Sequence, residues 1–293
     1  MPASSKGEAL IAVSPLPGPL GAEVAFDYNG EWDDDTRNAL RETFRRYHLI
    51  LLRAPGLLVA KQIEVIEALG LEPDRWRDGE KFGFLSNNLK SAPNDGQHSA
   101  YLYHSDLMWK PEPISAISLY ATAVPSEPSP TFFASGVGAA AALPDDLRAQ
   151  WATEQAMFLI DFNGGDTRYN EETASPEAPR ATHPILLEDA ISQQTSLIID
   201  SLFMVKIVGK EGEEGESLRR RAHEYLYDTG NVYRHDWQVG DLVVWNNVAL
   251  QHARENLPDG GERTFRRVSG TRSGGISGWE TNYKKAQQAV SGG

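Results

Sequence analysis

Hydrophobic positions switch spacing several times along the chain. Trp32-Asp33-Asp34-Asp35 places capping-type acids ahead of Leu40, Phe44 and Tyr47, which recur at helical intervals, so a helix is predicted to about Tyr47. The next run, 48-HLILLR-53, is short and apolar and is closed by Pro55-Gly56, the pattern of a buried strand. Residues 59-VAKQIEVIEALG-70 return to helical spacing, with Gly70 as the stop. From about Ser115 the pattern becomes a series of β-type runs: 115-SAISLYATAV-124, 156-AMFLIDF-162, 195-TSLIID-200, 242-LVVWNNV-248 and 264-TFRRVSGTR-272. Two helices interrupt them, one around Gly138 to Trp151 and one around Glu216 to Tyr227. A parallel α/β sheet needs a helix after nearly every strand. This succession instead predicts an α+β protein whose core is an antiparallel jelly roll, the double-stranded β-helix, with flanking helices.

No internal repeat, low-complexity segment or linker divides the chain, so residues 1–293 are expected to form one domain. Its first 95 residues or so form a helix-strand extension packed on the core. Residues 163–184 are polar and rich in Gly and Pro, which predicts a long loop and a candidate lid. Lys+Arg total 28 against 41 Asp+Glu, a formal net charge of -13 that repels nucleic acid and anionic membranes. There is no cysteine, which excludes disulfides, thiolate metal sites and a cysteine nucleophile. The N-terminal apolar residues are broken up by Pro15, Pro17 and Pro19, and no run of about 18 apolar residues occurs. A cytoplasmic protein is expected, with neither nucleic acid nor membrane as partner, and a homo-oligomer on general grounds.

Any metal must therefore sit on nitrogen and oxygen ligands. In 101-YLYHSDLMW-109, His104 and Asp106 stand at i and i+2, on one face of a strand. About one such His-x-acid triplet is expected by chance in this composition. His252 follows a strand over 241-DLVVWNNVALQ-251 that leads into a short loop. Two histidines and one carboxylate make either the facial triad of non-haem Fe(II) oxygenases or a catalytic zinc site. Further on, Arg263 and Arg267 share a strand face directed inward, where each needs an anion. Arg266 between them points outward as a solvated charge. His48 is expected at a core boundary, and His183, His223 and His235 are expected to face solvent.

With these residues in place, the chain resembles the TauD/TfdA family of Fe(II)- and 2-oxoglutarate-dependent dioxygenases. The resemblance is carried by 104-HSD-106, 241-DLVVWNNVALQHARENL-257, 263-RTFRR-267 and 130-PTFFASG-136, in the family's order. It implies that His104, Asp106 and His252 bind Fe(II), and that Arg263 with the Thr131 hydroxyl takes the distal carboxylate of 2-oxoglutarate, O2 being the second cosubstrate. It further implies that Arg267 meets an acidic group of a small substrate, a carboxylate or sulfonate, with His98, Tyr103, Tyr101 and Asn87 lining the substrate pocket. Ser105, Tyr103 and Asn246 depart from the residues common at their positions, and none of these changes removes a ligand. Hydroxylation of an unactivated C–H bond with release of succinate and CO2 is the expected outcome, with desaturation or cyclisation as variants. A zinc metallohydrolase and a non-catalytic ligand-binding β-sandwich are the competing readings. The hydrolase leaves the two arginines without a purpose, and the sandwich leaves His104 and Asp106 idle.

Overall fold

The computed structural model describes residues 11–76, 79–88, 100–162, 169–257 and 261–273. Among them lie four sheets. The largest has eight strands: β1 (Ala12–Pro15), β2 (Ala22–Ala25), β3 (Leu49–Arg53), β15 (Asp241–Asn246), β7 (Ala116–Ala123) and β17 (Thr264–Thr271) in that spatial order, with β4 (Glu72–Pro73) and β5 (Gly83–Ser86) both paired to β17. Facing it, a four-stranded sheet runs β14 (Val232–His235), β8 (Thr131–Ser135), β16 (Leu250–Arg254) and β6 (Tyr101–His104). Smaller sheets join β10 (Arg180–Pro184), β9 (Gln155–Leu159) and β13 (Met204–Ile207), and pair β11 (Leu186–Glu188) with β12 (Thr195–Leu197). Apart from the parallel pair of β2 and β3, the pairings are antiparallel. The predicted jelly-roll core with flanking helices is the fold observed.

Alternation along the large sheet explains its near-continuous apolar runs. Leu49 and Leu51 of β3, Ile117 and Leu119 of β7, Val243 and Trp245 of β15 and Phe265 of β17 face the small sheet, where Phe133 and Leu250 meet them. The intervening residues Ile50, Leu52, Leu242, Val244 and Val268 face the opposite way. There they pack on Leu40 and Phe44 of α1 (Asp34–Tyr47) and Val65 and Ile66 of α2 (Val59–Ala68). Both faces are thus buried, each aliphatic side chain contributing roughly 1.5–3 kcal/mol. The predicted α1 begins where expected, with the Asp33 carboxylate accepting from the Thr36 amide at 2.8 Å. Gly70 takes φ +79° just beyond α2, a conformation open to glycine.

Some boundaries differ. The helix expected from Gly138 to Trp151 is two short ones, α3 (Gly136–Ala142) and α4 (Asp145–Trp151), because Pro144 cannot continue the first and opens the second. The loop expected over residues 163–184 ends earlier: residues 163–168 lie outside the described residues, and Arg180–Pro184 is strand β10, paired with β9 through registers such as His183↔Ala156. Helix α5 (Glu213–Leu226) starts directly after Gly212 and packs against α3 and β13. Among the described residues no helix is long and apolar enough to cross a membrane.

Candidate metal centre

The small sheet brings the two histidines together by register. His252 on β16 is the direct cross-strand partner of His104 on β6, and directly opposed side chains on an antiparallel pair are neighbours on the same face. Their ring centroids lie 4.2 Å apart. The predicted loop before His252 is in fact the turn between β15 and β16, so His252 stands on a strand rather than after one. Asp106 also differs from expectation: β6 ends at His104, and the carboxylate is delivered by the turn beyond it. Asn247 fixes that turn. Its side-chain oxygen accepts from the Asp106 amide at 2.8 Å, and its amide nitrogen donates to the carbonyls of Asp106 at 2.9 Å and Ile114 at 3.0 Å. Leu107 follows with φ +59°, a left-handed conformation that the turn imposes on a branched side chain.

Asp106 Oδ1 lies 3.3 Å from His104 Nε2 and 4.0 Å from His252 Nε2. One ligand atom from each of the three residues falls within 4.8 Å of the others. Adjacent donors around an ion with bonds of about 2.1 Å are about 3 Å apart, so small side-chain shifts suffice to close the set on a metal. Tautomer and charge also fit. The His104 Nδ1 lies 2.7 Å from the Leu102 carbonyl, which only accepts, so Nδ1 carries a proton and Nε2 is the atom turned toward the site, where a metal would displace the proton it shares with Asp106. Burial, reinforced by the charge of His104, pushes His252 down to about 3 and keeps it neutral, the state a ligand needs. Burial alone would raise Asp106. The Arg267 guanidinium, with help from both histidines, overrides that effect and holds the carboxyl far below its ordinary range. At His104 burial opposes protonation, whereas the hydrogen bond and charge of Asp106 carry its pKa above the usual value.

Arg267 donates to Asp106 Oδ2 at 2.8 Å. The carboxylate is thereby divided, one oxygen toward the histidines and the other on the arginine. Arg263, one residue before β17, and Arg267 within it lie on the side of Phe265, whose ring Arg263 covers. The Arg263 amide donates to Asn87 Oδ1 at 2.9 Å, which anchors the start of β17. Its guanidinium lies 4.3 Å from the Phe265 ring centroid and 3.4 Å from Thr131 Oγ1, and its Nε is buried with no hydrogen-bond partner. Burial and the neighbouring Arg254 push it down to about 9. An orphaned buried N–H on a guanidinium calls for an anion.

Arg266 corrects the prediction of a solvated charge. It does point away from the interior, but into the layer beneath α2, where it is buried, donates to Gln62 Oε1 at 2.6 Å and to the Leu57 carbonyl at 2.8 Å, and lies 4.7 Å from the Tyr120 ring centroid. Three histidines expected in solvent are likewise packed inside. His183 contacts the Met108 and Lys110 carbonyls, His235 sits 3.2 Å from Asp241, and His223 is half-buried against Tyr227. His48 is buried as the left-handed cap of α1. Tyr103 is placed away from the metal ligands: alternation turns it to the opposite face from His104, and its ring stacks 4.3 Å from Tyr227 beside α5. His98 lies outside the described residues.

Several contributors carried no signal in the sequence. Phe203 packs edge-on at 5.2 Å from His104 and 4.6 Å from Trp109, held there by Asp200, whose Oδ1 accepts from the amides of Leu202, Phe203 and Met204. Tyr169, just past the undescribed part of the predicted lid, lies 5.4 Å from Phe203. These rings wall the site with apolar surface.

Residues 12–269 match the sequence model of the "Taurine catabolism dioxygenase TauD, TfdA family", and the chain belongs to that family. A segment of 181 residues is 28% identical to the alpha-ketoglutarate-dependent 2,4-dichlorophenoxyacetate dioxygenase of a Burkholderia species, covering 59% of this chain and 59% of that protein's length. The alkylsulfatase of Acinetobacter baylyi is 22% identical over 269 residues, 87% of this chain and 83% of that one. A crystal structure of a taurine dioxygenase from Burkholderia xenovorans superposes with a TM-score of 0.71 at 19% identity, over 90% of this chain and 92% of its own, and shares the fold.

Proposed function

We propose that the protein is an Fe(II)- and 2-oxoglutarate-dependent dioxygenase that hydroxylates a small anionic organic molecule. The observation that carries this reading is the Arg263 guanidinium beside Thr131, its Nε buried with no partner, between the same two sheets that bring His104, Asp106 and His252 together. A zinc hydrolase has no use for that arginine. Iron held by the three side chains, with 2-oxoglutarate and O2, supplies an oxidant for an unactivated C–H bond as succinate and CO2 are released.

The chain's own residues bind and orient. His252 presents a neutral Nε2, His104 Nε2 would give up to the metal the proton it shares with Asp106, and Asp106 offers one oxygen while Arg267 holds the other. Arg263 and Thr131 grip the far carboxylate of the 2-oxo acid. Phe203 and Trp109 exclude water from the histidine side. Arg267 keeps a buried Nε–H without a partner, which suits it to an acidic group of the substrate as well. Related proteins named for dichlorophenoxyacetate and alkyl sulfates support a carboxylate or sulfate class. The candidate lid over residues 163–184 belongs to this reading, and Tyr169, in its described part, packs on Phe203 of this wall. Cytoplasmic location and homo-oligomerisation belong to the same reading, and cell fractionation and light scattering check them.

Anaerobic addition of Fe(II) and then 2-oxoglutarate is expected to produce a weak visible charge-transfer band, lost at limiting cosubstrate in Arg263→Ala. A metal-loaded, folded protein with no band would remove the dioxygenase reading and put zinc-dependent hydrolysis in its place.

A further inference from the structure

Thr131 Oγ1 is met by two groups that can only donate. The Trp237 indole N–H reaches it at 2.9 Å and the Arg263 guanidinium at 3.4 Å. Both acceptor sides of the hydroxyl are therefore filled, and its own proton has no acceptor among the described residues. A threonine hydroxyl ordinarily rotates to suit its surroundings. Here the rotation is fixed. Trp237 is itself held: it is buried, its ring lies 4.6 Å from His235 and 4.5 Å from Phe265, and His235, two residues earlier, is the ladder partner of Thr131. A cavity of about 300 Å3 bounded by Val124, Pro125 and Ser129 reaches both Trp237 and Arg263.

We infer that Trp237 is a positioning residue for the cosubstrate: its N–H occupies the acceptor side of Thr131, so that the hydroxyl proton is aimed at the carboxylate held by Arg263. The pair then offers an anion donors alone, from Arg263 and from Thr131, and rejects a ligand whose end group must itself donate. The inference rests on the proposed function, because it takes the anion to be the distal carboxylate of 2-oxoglutarate.

The test is calorimetric titration of 2-oxoglutarate into Mn(II)-loaded protein without oxygen, for the unaltered chain, Trp237→Phe, Thr131→Val and the double variant. Phe keeps an aromatic ring between His235 and Phe265 and removes the N–H with the smaller ring of the indole; Trp237→Leu is the second variant, which offers no donor either. Each single change is expected to weaken binding about five- to tenfold, the size of one hydrogen bond to an ion. The double variant is expected to bind no worse than Thr131→Val, since Trp237 acts through that hydroxyl. The 5-amide of 2-oxoglutarate supplies a readout that loosened packing would not move: its affinity relative to the acid should rise in Trp237→Phe, where Thr131 regains the ability to accept. No binding to the unaltered protein would remove the proposed function and this inference with it. Normal binding there, with Trp237→Phe within twofold of it or with penalties that multiply in the double variant, would overturn the role of Trp237 alone.

Discussion

Asn247 shows how much one amide contributes to a metal centre it does not touch. Its three hydrogen bonds tie the Asp106 peptide to the strand turn between β15 and β16 and to Ile114, so the carboxylate is placed by a residue that is fully buried and 141 positions away. Without them the turn carrying Asp106 is free to relax from the left-handed conformation at Leu107, and Oδ1 drifts from the histidines. Supporting contacts of this kind commonly carry about 10–100-fold in metal affinity. Asn247→Ala is therefore expected to weaken Mn(II) binding, measured by titration in the absence of cosubstrate, by about that range, with Asn247→Asp intermediate because it keeps the acceptor for the Asp106 amide. Binding of Mn(II) unchanged in a folded Asn247→Ala protein would assign the placement of Asp106 to Arg267 alone.

Strand β17 and the residue that precedes it separate two kinds of arginine by the parity of their positions. Arg263 and Arg267 face the site, whereas Arg266 faces α2 and is satisfied by Gln62, which also donates to Ser118 Oγ at 3.1 Å and to the Arg266 carbonyl. Gln62→Leu would leave the buried guanidinium with only the Leu57 carbonyl, and a loss of about 2–4 kcal/mol is expected in urea unfolding. Affinity for 2-oxoglutarate should not change, since Arg263 lies across the sheet; a parallel loss of affinity would mean that β17 moves as a unit. The same parity explains what could be read in the sequence. Period-2 spacing separates Arg266 from Arg267 on β17 but does not show what covers each face, which is why Arg266, His183 and His235 read as solvent-facing although helices and strands bury them. Long apolar runs such as 48-HLILLR-53 were legible because burial on both faces leaves no polar interruption. Strands of two to five residues, β4, β5 and β13 among them, carry too few positions for a period to emerge. The candidate donor set is readable because its residue types and order are unusual together. Asn247, Phe203 and Trp237 are not, since their roles arise from contacts that only the folded chain creates.

Helix α5 links the stability of the whole molecule to pH. Just past its end Tyr227 donates to Gln251 Oε1 at 2.7 Å, next to the candidate ligand His252, and Gln251 Nε2 donates to the Ile199 carbonyl at 3.0 Å. His223, in the last turn of α5, lies 4.8 Å from the Tyr227 ring, and its Nε2 is buried without a partner. Burial first and the Arg219 charge second push it down to about 4 from an ordinary value near 6.5. A depressed histidine is neutral in both states at pH 7. As the pH falls below about 6.5 the unfolded chain takes up the proton first, so folded stability declines between about 6.5 and 4 and levels off below that. The loss attributable to this ring at pH 4.5 is on the order of 2 kcal/mol, allowing for its partial exposure. Urea unfolding of metal-free protein at pH 7 and pH 4.5, compared with His223→Gln, isolates it, because His104 and His252 titrate in both proteins. The variant is expected to lose less stability than the unaltered chain over that interval by about that amount. Equal losses in the two proteins would mean that α5 opens enough to solvate His223 before it titrates, and that the acid sensitivity of the fold lies in the metal ligands instead.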